Sequence, residues 1–364
     1  MALTCGIVGL PTVGKTTFFN LLTNANMETS AFYSGKTSTH MSMANVPDKR
    51  VEALSQMFHP KKTTYAQIEI IDIPGLVRGS SEGKGTGNEF LSAVRDADAL
   101  VQIIRAFENS EVQHVDGSLD IMRDLETVNM ELLFADLQLV ETRLERINAG
   151  KKKKTENPLE EALLLRVRDV LENEQPVSTI TFNEAEQEAM KHITFLTDKP
   201  MLVVINLDEG QFSKKSYPQR DEIHAYCQEH EMEFLEICAQ VESEISQLED
   251  DDRAVFMEDL GITEPGIDRL AQAVYHLLGL ISFLTAGEDE VRAWTIKKDL
   301  LAKKAASKIH SDIERGFIRA EVVAYSDLME AGTMAKAREK GHFRLEGKEY
   351  RVQDGDIINF RFNV

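Results

Sequence analysis

The residues Gly9-Leu-Pro-Thr-Val-Gly14-Lys15-Thr16 fit the pattern G-x-x-x-x-G-K-[ST]. They lie between an apolar run, Leu3–Leu10, and a helical pattern opening near Thr16. Each residue type has a physical reason to be there. Glycines let backbone N–H groups turn inward around phosphate oxygens, and the helix N-terminus adds a favourable dipole. Lys15 is placed to reach the β and γ phosphates of a nucleoside triphosphate, which makes it a candidate catalytic group, and the Thr16 hydroxyl is placed to ligate Mg²⁺. A second half-site follows at Asp72-Ile73-Pro74-Gly75, closing the apolar run Ile68–Ile73. There the carboxylate of Asp72 can hold Mg²⁺ directly or through water, and the Gly75 N–H can meet the γ-phosphate. Gly79–Asn88 then holds four glycines within its first nine residues, the composition of a segment that can order around a γ-phosphate.

The end of a later apolar run decides the base. GTPases read guanine with N-K-x-D, where the Asp accepts from N1–H and the 2-amino group and the Lys stem packs on the ring. Here the run Met201–Asn206 ends in Asn206-Leu207-Asp208-Glu209. Leu replaces the Lys, and Glu209, one methylene longer, misplaces the bidentate acceptor. Adenine lacks both donors and tolerates apolar contact such as Leu207. Guanine selectivity is lost and ATP is the expected nucleotide.

These residues need a scaffold. The runs at 3–10, 68–73, 99–106, 201–206 and 234–238 are short and apolar, with helical patterns between several of them. That alternation predicts an α/β domain with a mostly parallel sheet, its functional residues at the carboxyl ends of the strands. From about residue 129 to 199 the pattern is helical throughout. Leu133, Leu137, Val140, Leu144 and Ile147 repeat at coiled-coil spacing, and Leu159, Leu163, Val167 and Val170 form a second stripe. Ala149-Gly150, Lys151–Lys154 and Asn157-Pro158 separate the stripes, so an antiparallel helical hairpin is expected, inserted into the α/β domain. Asn183 and Glu186 have the spacing of a capping box. The C-terminal residues suggest a small α+β module, with strands at 319–325, 342–345, 350–352 and 357–364 and a helix near 300–311.

Bulk composition narrows the class. The chain has 364 residues, is 42% hydrophobic and 28% charged, and has a formal net charge of −20. So acidic a chain is not expected to bind nucleic acid over its whole surface. Lys151–Lys154 is its only concentrated basic run. No apolar run approaches the ~18–20 residues of a membrane span, and no secretory leader is expected ahead of the first strand. Cys5, Cys227 and Cys238 are widely spaced and read as reduced, buried thiols of a cytoplasmic protein.

Taken together, the chain resembles the YchF family, the Obg-like ATPases. The resemblance rests on Gly-Leu-Pro-Thr-Val-Gly-Lys-Thr-Thr, Asp-Ile-Pro-Gly with its glycine segment, Asn-Leu-Asp-Glu, Glu290-Val-Arg-Ala-Trp294-Thr, Gly316-Phe-Ile-Arg-Ala-Glu321 and the ending from Gln353 to Val364. It spans essentially the whole chain. Obg and DRG GTPases share Asp-Ile-Pro-Gly-Leu but are expected to keep N-K-x-D. The resemblance implies a P-loop NTPase G-domain over 1–128 and 200–280, a helical coiled-coil insert over 129–199 and a C-terminal β-grasp (TGS) domain over 281–364. It further implies slow ATP hydrolysis and association with the ribosome or ribosomal RNA; Mg²⁺ is expected at the phosphate site, and a monomer without DNA or membrane partners is expected. Carried over by residue, Thr12, Val13, Gly14, Lys15, Thr16 and Thr17 would contact phosphates, Asn206 and Leu207 the adenine with Glu209 nearby, and Gly75 the γ-phosphate. His114 falls where members carry a His proposed to assist hydrolysis. Leu76 stands where Ras-like enzymes have a water-orienting Gln. The chain departs from the family pattern at its first switch. There Lys36 stands at the position of a Mg²⁺-closing Thr, with Thr37 one residue late, and Gly35 replaces a frequent Cys. Either Thr37 or Thr39 supplies the ligand through a register shift or this switch is metal-poor, so a divergent paralogue is expected. The rival readings are an Obg/DRG-type GTPase, disfavoured by Leu207 and Glu209, and a nucleotide-gated binding module with vestigial hydrolysis, favoured by Lys36.

Overall fold

The computed structural model describes residues 3–27, 39–76, 87–150 and 158–363. Lys36, Thr37, most of the glycine segment and Lys151–Lys154 lie outside the described residues. The chain divides into two compact units, residues 1–42 with 69–270, and residues 43–68 with 271–364.

The first sheet carries strands β1 (Thr4–Val8), β2 (His40–Val46), β4 (Ala66–Asp72), β5 (Ala99–Arg105), β6 (Met201–Asn206) and β7 (Glu233–Ile237), in the order β2-β4-β1-β5-β6-β7. The pairs β1–β4, β1–β5, β5–β6 and β6–β7 are all parallel. Every residue of β5 is buried, as are Leu202–Asn206 in β6, which is why these strands read as continuous apolar runs rather than alternating ones.

The helical segment is built by Ile121–Gly150 and Pro158–Glu172. All five residues of the expected seam, Leu133, Leu137, Val140, Leu144 and Ile147, share one cluster with Leu163, Leu164 and Val167. The first helix runs 30 residues and begins before residue 129, at Ile121. The second stripe sits differently from its expected register: Leu159 is 40% exposed, while Leu164 and Leu171 are buried. The capping box at Asn183 and Glu186 is present, with both reciprocal hydrogen bonds.

The second sheet has the order β11-β10-β12-β8-β9-β3, where β3 is Lys62–Thr64, β8 Leu280–Ala286, β9 Glu290–Lys297, β10 Phe317–Ala324, β11 Arg344–Glu346 and β12 Asp356–Phe362. β8 and β9 form an antiparallel hairpin, and the last strand, β12, runs parallel to β8 and antiparallel to β10. In this mixed sheet the β8–β9 hairpin lies on one side of β12, and β10 and β11 on the other. Phe283, Ala302, Ala305, Val322, Ile358 and Phe360 are in its core. The expected strand at 350–352 reduces to a single bridge, Arg351 to Leu301. The expected helix near 300–311 is two short ones, Ala302–Ala306 and Ser311–Arg315, because His310 takes an extended conformation and caps the second.

Residues 43–68 were expected to belong with the nucleotide domain throughout, yet they group with the C-terminal unit. β3 pairs with β9, and Arg50 on the helix Lys49–Phe58 makes bidentate contacts to both Asp48 and Asp354 at 2.8–3.2 Å. Asp354 in turn accepts from the Ser282 N–H at 2.9 Å. A Cβ on Gly355 would lie 2.7 Å from an Arg50 guanidinium nitrogen, so glycine (φ 82°) lets the arginine approach.

Candidate functional site

β1 ends in the phosphate-binding turn, and the helix Lys15–Thr23 follows it directly. Gly9 has φ 147°, and a Cβ there would sit 2.5 Å from the Ile103 carbonyl oxygen on β5. Gly14 has φ 104°, and a Cβ there would sit 2.6 Å from the Asn206 side-chain nitrogen. Both positions therefore require glycine, for backbone conformation and for space. Thr12 also takes a positive φ of 62°.

Lys15 is 8% exposed. Its Nζ donates to the carbonyls of Leu10 at 2.7 Å and Gly9 at 3.2 Å, folding the ammonium back over its own loop. Burial pulls its pKa from 10.5 down to about 8, and the neighbouring Asp72 carboxylate opposes that shift. Asp72 ends β4 and is also buried, which raises its pKa against the pull of the Thr16 hydroxyl, Lys15 and His40. Thr16 Oγ1 donates to Asp72 Oδ2 at 2.9 Å. A hydroxyl and a buried carboxylate thus converge beside a cation. This oxygen-donor set is the chemistry a hard divalent cation takes. Gly75 packs on the turn: a Cβ there would come 3.1 Å from two Pro11 atoms, and the next residue, Leu76, donates its N–H to Gly9 O at 3.1 Å. Val13 is buried and Thr17 half-buried on the following helix turn.

The base-side strand end behaves differently from its sequence reading. Asn206 is 4% exposed, and its amide is already engaged at both ends: Nδ2 donates to Val13 O at 3.0 Å and Oδ1 accepts from Ala239 N at 3.2 Å. It ties the phosphate turn to the end of β7. Leu207 was expected to offer apolar contact to adenine. Its side chain is instead 3% exposed and packed with Ile104, Ala106 and Ile205 in the core, so burial of the leucine wins over display. Asp208 caps the helix Glu209–Lys214, accepting from Gln211 N at 2.8 Å, and this leaves Glu209 exposed on its first turn.

His114 was read as a loop residue able to orient water. It is buried, 7% exposed, and both ring nitrogens are taken: Nε2 lies 2.8 Å from Asp124 Oδ2, and Nδ1 accepts from the Asp116 N–H at 3.1 Å. In this conformation the ring has no nitrogen left for a water. Its segment nonetheless touches the phosphate turn, because Thr12 Oγ1 donates to Gln113 O at 3.3 Å. Buried Arg105, at the end of β5, secures the same segment: Nε donates to Phe107 O at 3.1 Å and Nη2 to Val112 O at 2.9 Å. Arg105, His114 and Gln219 line a cleft of about 540 Å³. Neither Arg105 nor Asp124 belongs to any short motif, and only their three-dimensional contacts reveal them.

Among the described residues, the structure brings together Thr12, Val13, Gly14, Lys15, Thr16, Thr17, Asp72, Gly75 and Asn206 at the carboxyl ends of β1, β4 and β6. This is where open α/β sheets bind ligands.

Comparison with known proteins agrees with this architecture. Residues 4–136 match the MMR_HSR1 family, described as a 50S ribosome-binding GTPase. Residues 280–363 match the YchF-GTPase_C family, described as a protein of unknown function. The chain is 45% identical over 366 residues to the ribosome-binding ATPase YchF of Bacillus subtilis, and 38% identical over 365 residues to that of Escherichia coli O157:H7, covering 100% of each. A solved structure titled as the Schizosaccharomyces pombe YchF GTPase superposes with a TM-score of 0.84 at 32% identity, over 99% of this chain and 98% of the other. With full-length identity of this order and matching family-specific terminal residues, the chain belongs to the YchF family.

Proposed function

We propose that this protein is an ATP-binding, slowly hydrolysing nucleotide switch that associates with ribosomes. The observation that carries it is a complete phosphate cradle beside a strand end, Asn206-Leu207-Asp208-Glu209, that lacks the Lys and Asp by which GTPases read guanine. Lys15 would leave its two loop carbonyls for the β and γ phosphates. Thr16 and Asp72 would hold Mg²⁺, with Thr37 as a further ligand, and the ion would neutralise charge on the phosphates. The Gly75 N–H would sense the γ-phosphate. His114 would orient the attacking water after exchanging the Asp116 N–H for it. Without a stimulating partner, turnover of such switches is on the order of 10⁻⁴ to 10⁻² per second.

Ribosome association draws support from the names of the bacterial relatives and from charge. Residues 280–364 carry 15 Lys/Arg against 14 Asp/Glu, a net +1, so the rest of the chain carries −21. Within residues 280–364 Arg319 and Arg361 face each other across β10 and β12, and Arg361 is already paired with Glu321 at 3.2 Å, which leaves exposed Arg319 as the basic group of that pair open to an anionic partner. Lys151–Lys154 is a second basic candidate. No described helix is long and apolar enough to cross a membrane. We further read the protein as a cytoplasmic monomer without a DNA partner.

One observation favours the rival nucleotide: the solved fission-yeast relative is titled a GTPase. Competition of unlabelled ATP and GTP against a fluorescent ATP analogue, with and without Mg²⁺, separates the two. A clear ATP preference supports the reading, and equal or better competition by GTP overturns it. Ribosome co-sedimentation across a salt series, with and without substitution of the four lysines, tests the partner.

A further inference from the structure

The environment of His114 contains more than is needed to bury a histidine. Asp124, 2% exposed in the first turn of the helix Ile121–Gly150, faces the ring with one carboxylate oxygen and Arg123 with the other. Arg123 Nε and Nη2 approach Asp124 Oδ1 at 3.0 and 2.8 Å. The same guanidinium donates to Ser118 Oγ at 3.0 Å and Ser118 O at 2.7 Å. That helix turn is itself fixed: Ile121 N donates to Gln219 Oε1 at 2.8 Å, and Asp120 Oδ1 accepts from Arg123 N and Gln219 Nε2, each at 3.1 Å. The carboxylate is therefore held in place before any ligand arrives. At the other end of the segment Gln113 O is bonded to Thr12 of the phosphate turn. A hydrogen-bonded path thus links helix turn, carboxylate, imidazole and phosphate cradle.

His114, Asp116 and Asp124 lie close enough, with ligand atoms within 4.8 Å of one another, to suggest a metal centre. Their donors argue otherwise, because both oxygens of Asp124 and both nitrogens of His114 already have hydrogen-bond partners and Arg123 supplies the local positive charge. The arrangement is that of a carboxylate–imidazole dyad. With Asp116 N–H donating to Nδ1, the proton sits on Nε2 and points at Asp124.

We propose that Asp124 is a positioning residue for hydrolysis: it holds the Nε2–H of His114, keeps Nδ1 as the accepting nitrogen, and stabilises the imidazolium that forms when water is deprotonated. This rests on the reading of His114 as the water-orienting group. In the step, the water oxygen bonds to the γ-phosphorus while the bond from that phosphorus to the bridging oxygen breaks. ADP leaves with the bridging electron pair, the water proton goes to Nδ1 and then to the released phosphate, and Asp124 is not itself protonated. The logic is that of the third member of a serine-protease triad, which orients the imidazole and fixes its tautomer. His114 and Gly117 both line the cleft, and replacing the Asp116 N–H with water requires the segment Val115–Gly117 to move, where Val115 is exposed, Gly117 has φ 74° and Asp116 lies 3.8 Å from Arg123 Nε.

The test uses the full-length chain and steady-state ATP hydrolysis of wild type, H114A, D124N, D124E and H114A/D124N. D124N is expected to lower kcat about 10- to 100-fold with KM unchanged. D124E is expected to recover part of that loss, and the double variant to be no slower than H114A. If H114A keeps wild-type turnover, the role of His114 itself is refuted. If H114A loses turnover while D124N keeps it, only the inference about Asp124 is refuted. A long-range ¹H–¹⁵N correlation spectrum of the wild-type protein needs no variant to fold: the expected signature is the Nε2–H tautomer of His114, and finding the Nδ1–H tautomer would overturn the proposal.

Discussion

Asn206→Ala removes one side-chain amide and, with it, two hydrogen bonds to buried backbone: the one to Val13 O at 3.0 Å and the one from Ala239 N at 3.2 Å. Neither orphaned group can turn to solvent, since Asn206 is 4% exposed and its partners are packed around it. Leaving a buried donor or acceptor unsatisfied costs about 1–3 kcal/mol, so the two together should destabilise the unit by about 2–6 kcal/mol. That is a large share of the ~5–15 kcal/mol that holds a typical domain together. The effect falls on the phosphate turn, because Val13 O belongs to it and a Cβ at Gly14 would lie 2.6 Å from this same amide. If about 3 kcal/mol of the loss falls on the ligand-ready turn, the nucleotide Kd rises roughly a hundredfold. Urea unfolding should be followed by far-UV circular dichroism, because the single tryptophan, Trp294, belongs to the C-terminal unit. Nucleotide affinity should be measured in parallel with ATP and GTP analogues. Stability within about 0.5 kcal/mol of wild type and unchanged affinity would refute the view of Asn206 as a staple. Intact stability with a lost preference for ATP would instead make Asn206 a direct reader of the base.

The other expectations concern ionisation, metal and the helical insert. Lys15 has its pKa lowered by burial from 10.5 to about 8, so its buried charge weighs fully against folding below pH 8, and stability should rise with pH between the two values. Phosphate binding needs the ammonium, so nucleotide affinity should be flat below pH 8 and fall about tenfold per unit above it, a limb that calorimetry should show missing in Lys15→Met. Asp72→Asn keeps the shape but removes the carboxylate that meets Thr16 Oγ1 at 2.9 Å, so the Mg²⁺ enhancement of ATP affinity should disappear while metal-free binding changes less than threefold. Asp136 accepts from Leu196 N, Thr197 N and Thr197 Oγ1 at 2.8–2.9 Å and is 1% exposed, so Asp136→Ala should destabilise by about 2–4 kcal/mol in urea unfolding without altering nucleotide affinity.

Which features were legible in the sequence follows from the range of the interactions that make them. The phosphate turn is local: glycines at 9 and 14, Lys15 and Thr16 depend on φ angles and on a strand–helix junction, all encoded within a dozen residues. The buried strands β1, β5 and β6 are equally local, because burial on both faces writes a continuous apolar run. The seam at Leu133–Ile147 was legible for the same reason, through its period. The C-terminal sheet was only half legible. β8 and β9 escaped because polar positions interrupt them, as in β9, where buried residues alternate with partly exposed ones over Val291–Ala293 before Trp294 and Thr295 break the pattern. The grouping of residues 43–68 with the C-terminal unit could not be read at all. It depends on Arg50 meeting Asp354, a contact across 304 positions, and on β3 joining β9.

The two strand-end asparagine and leucine positions, 206 and 207, show why residue type underdetermines role. An Asn beside a phosphate turn can read a base or bind two backbone strands together, and only the occupancy of both ends of its amide distinguishes these. A Leu in place of a guanine-stacking Lys removes one selectivity, but the same apolarity that permits adenine also draws the side chain into the core beside Ile104 and Ile205. On the proposed reading, adenine preference arises mainly from what the strand end has lost: the Lys stem and the correctly placed Asp. Specificity by lost discrimination predicts a modest ratio rather than a steep one, since no buried polar group is left unpaired by the wrong base. The ATP-over-GTP preference should therefore lie nearer tenfold than ten-thousandfold in the competition titration. A preference of several orders of magnitude would mean that a positive adenine contact forms on binding, for which exposed Glu209, on the first turn of its helix, is the nearest candidate.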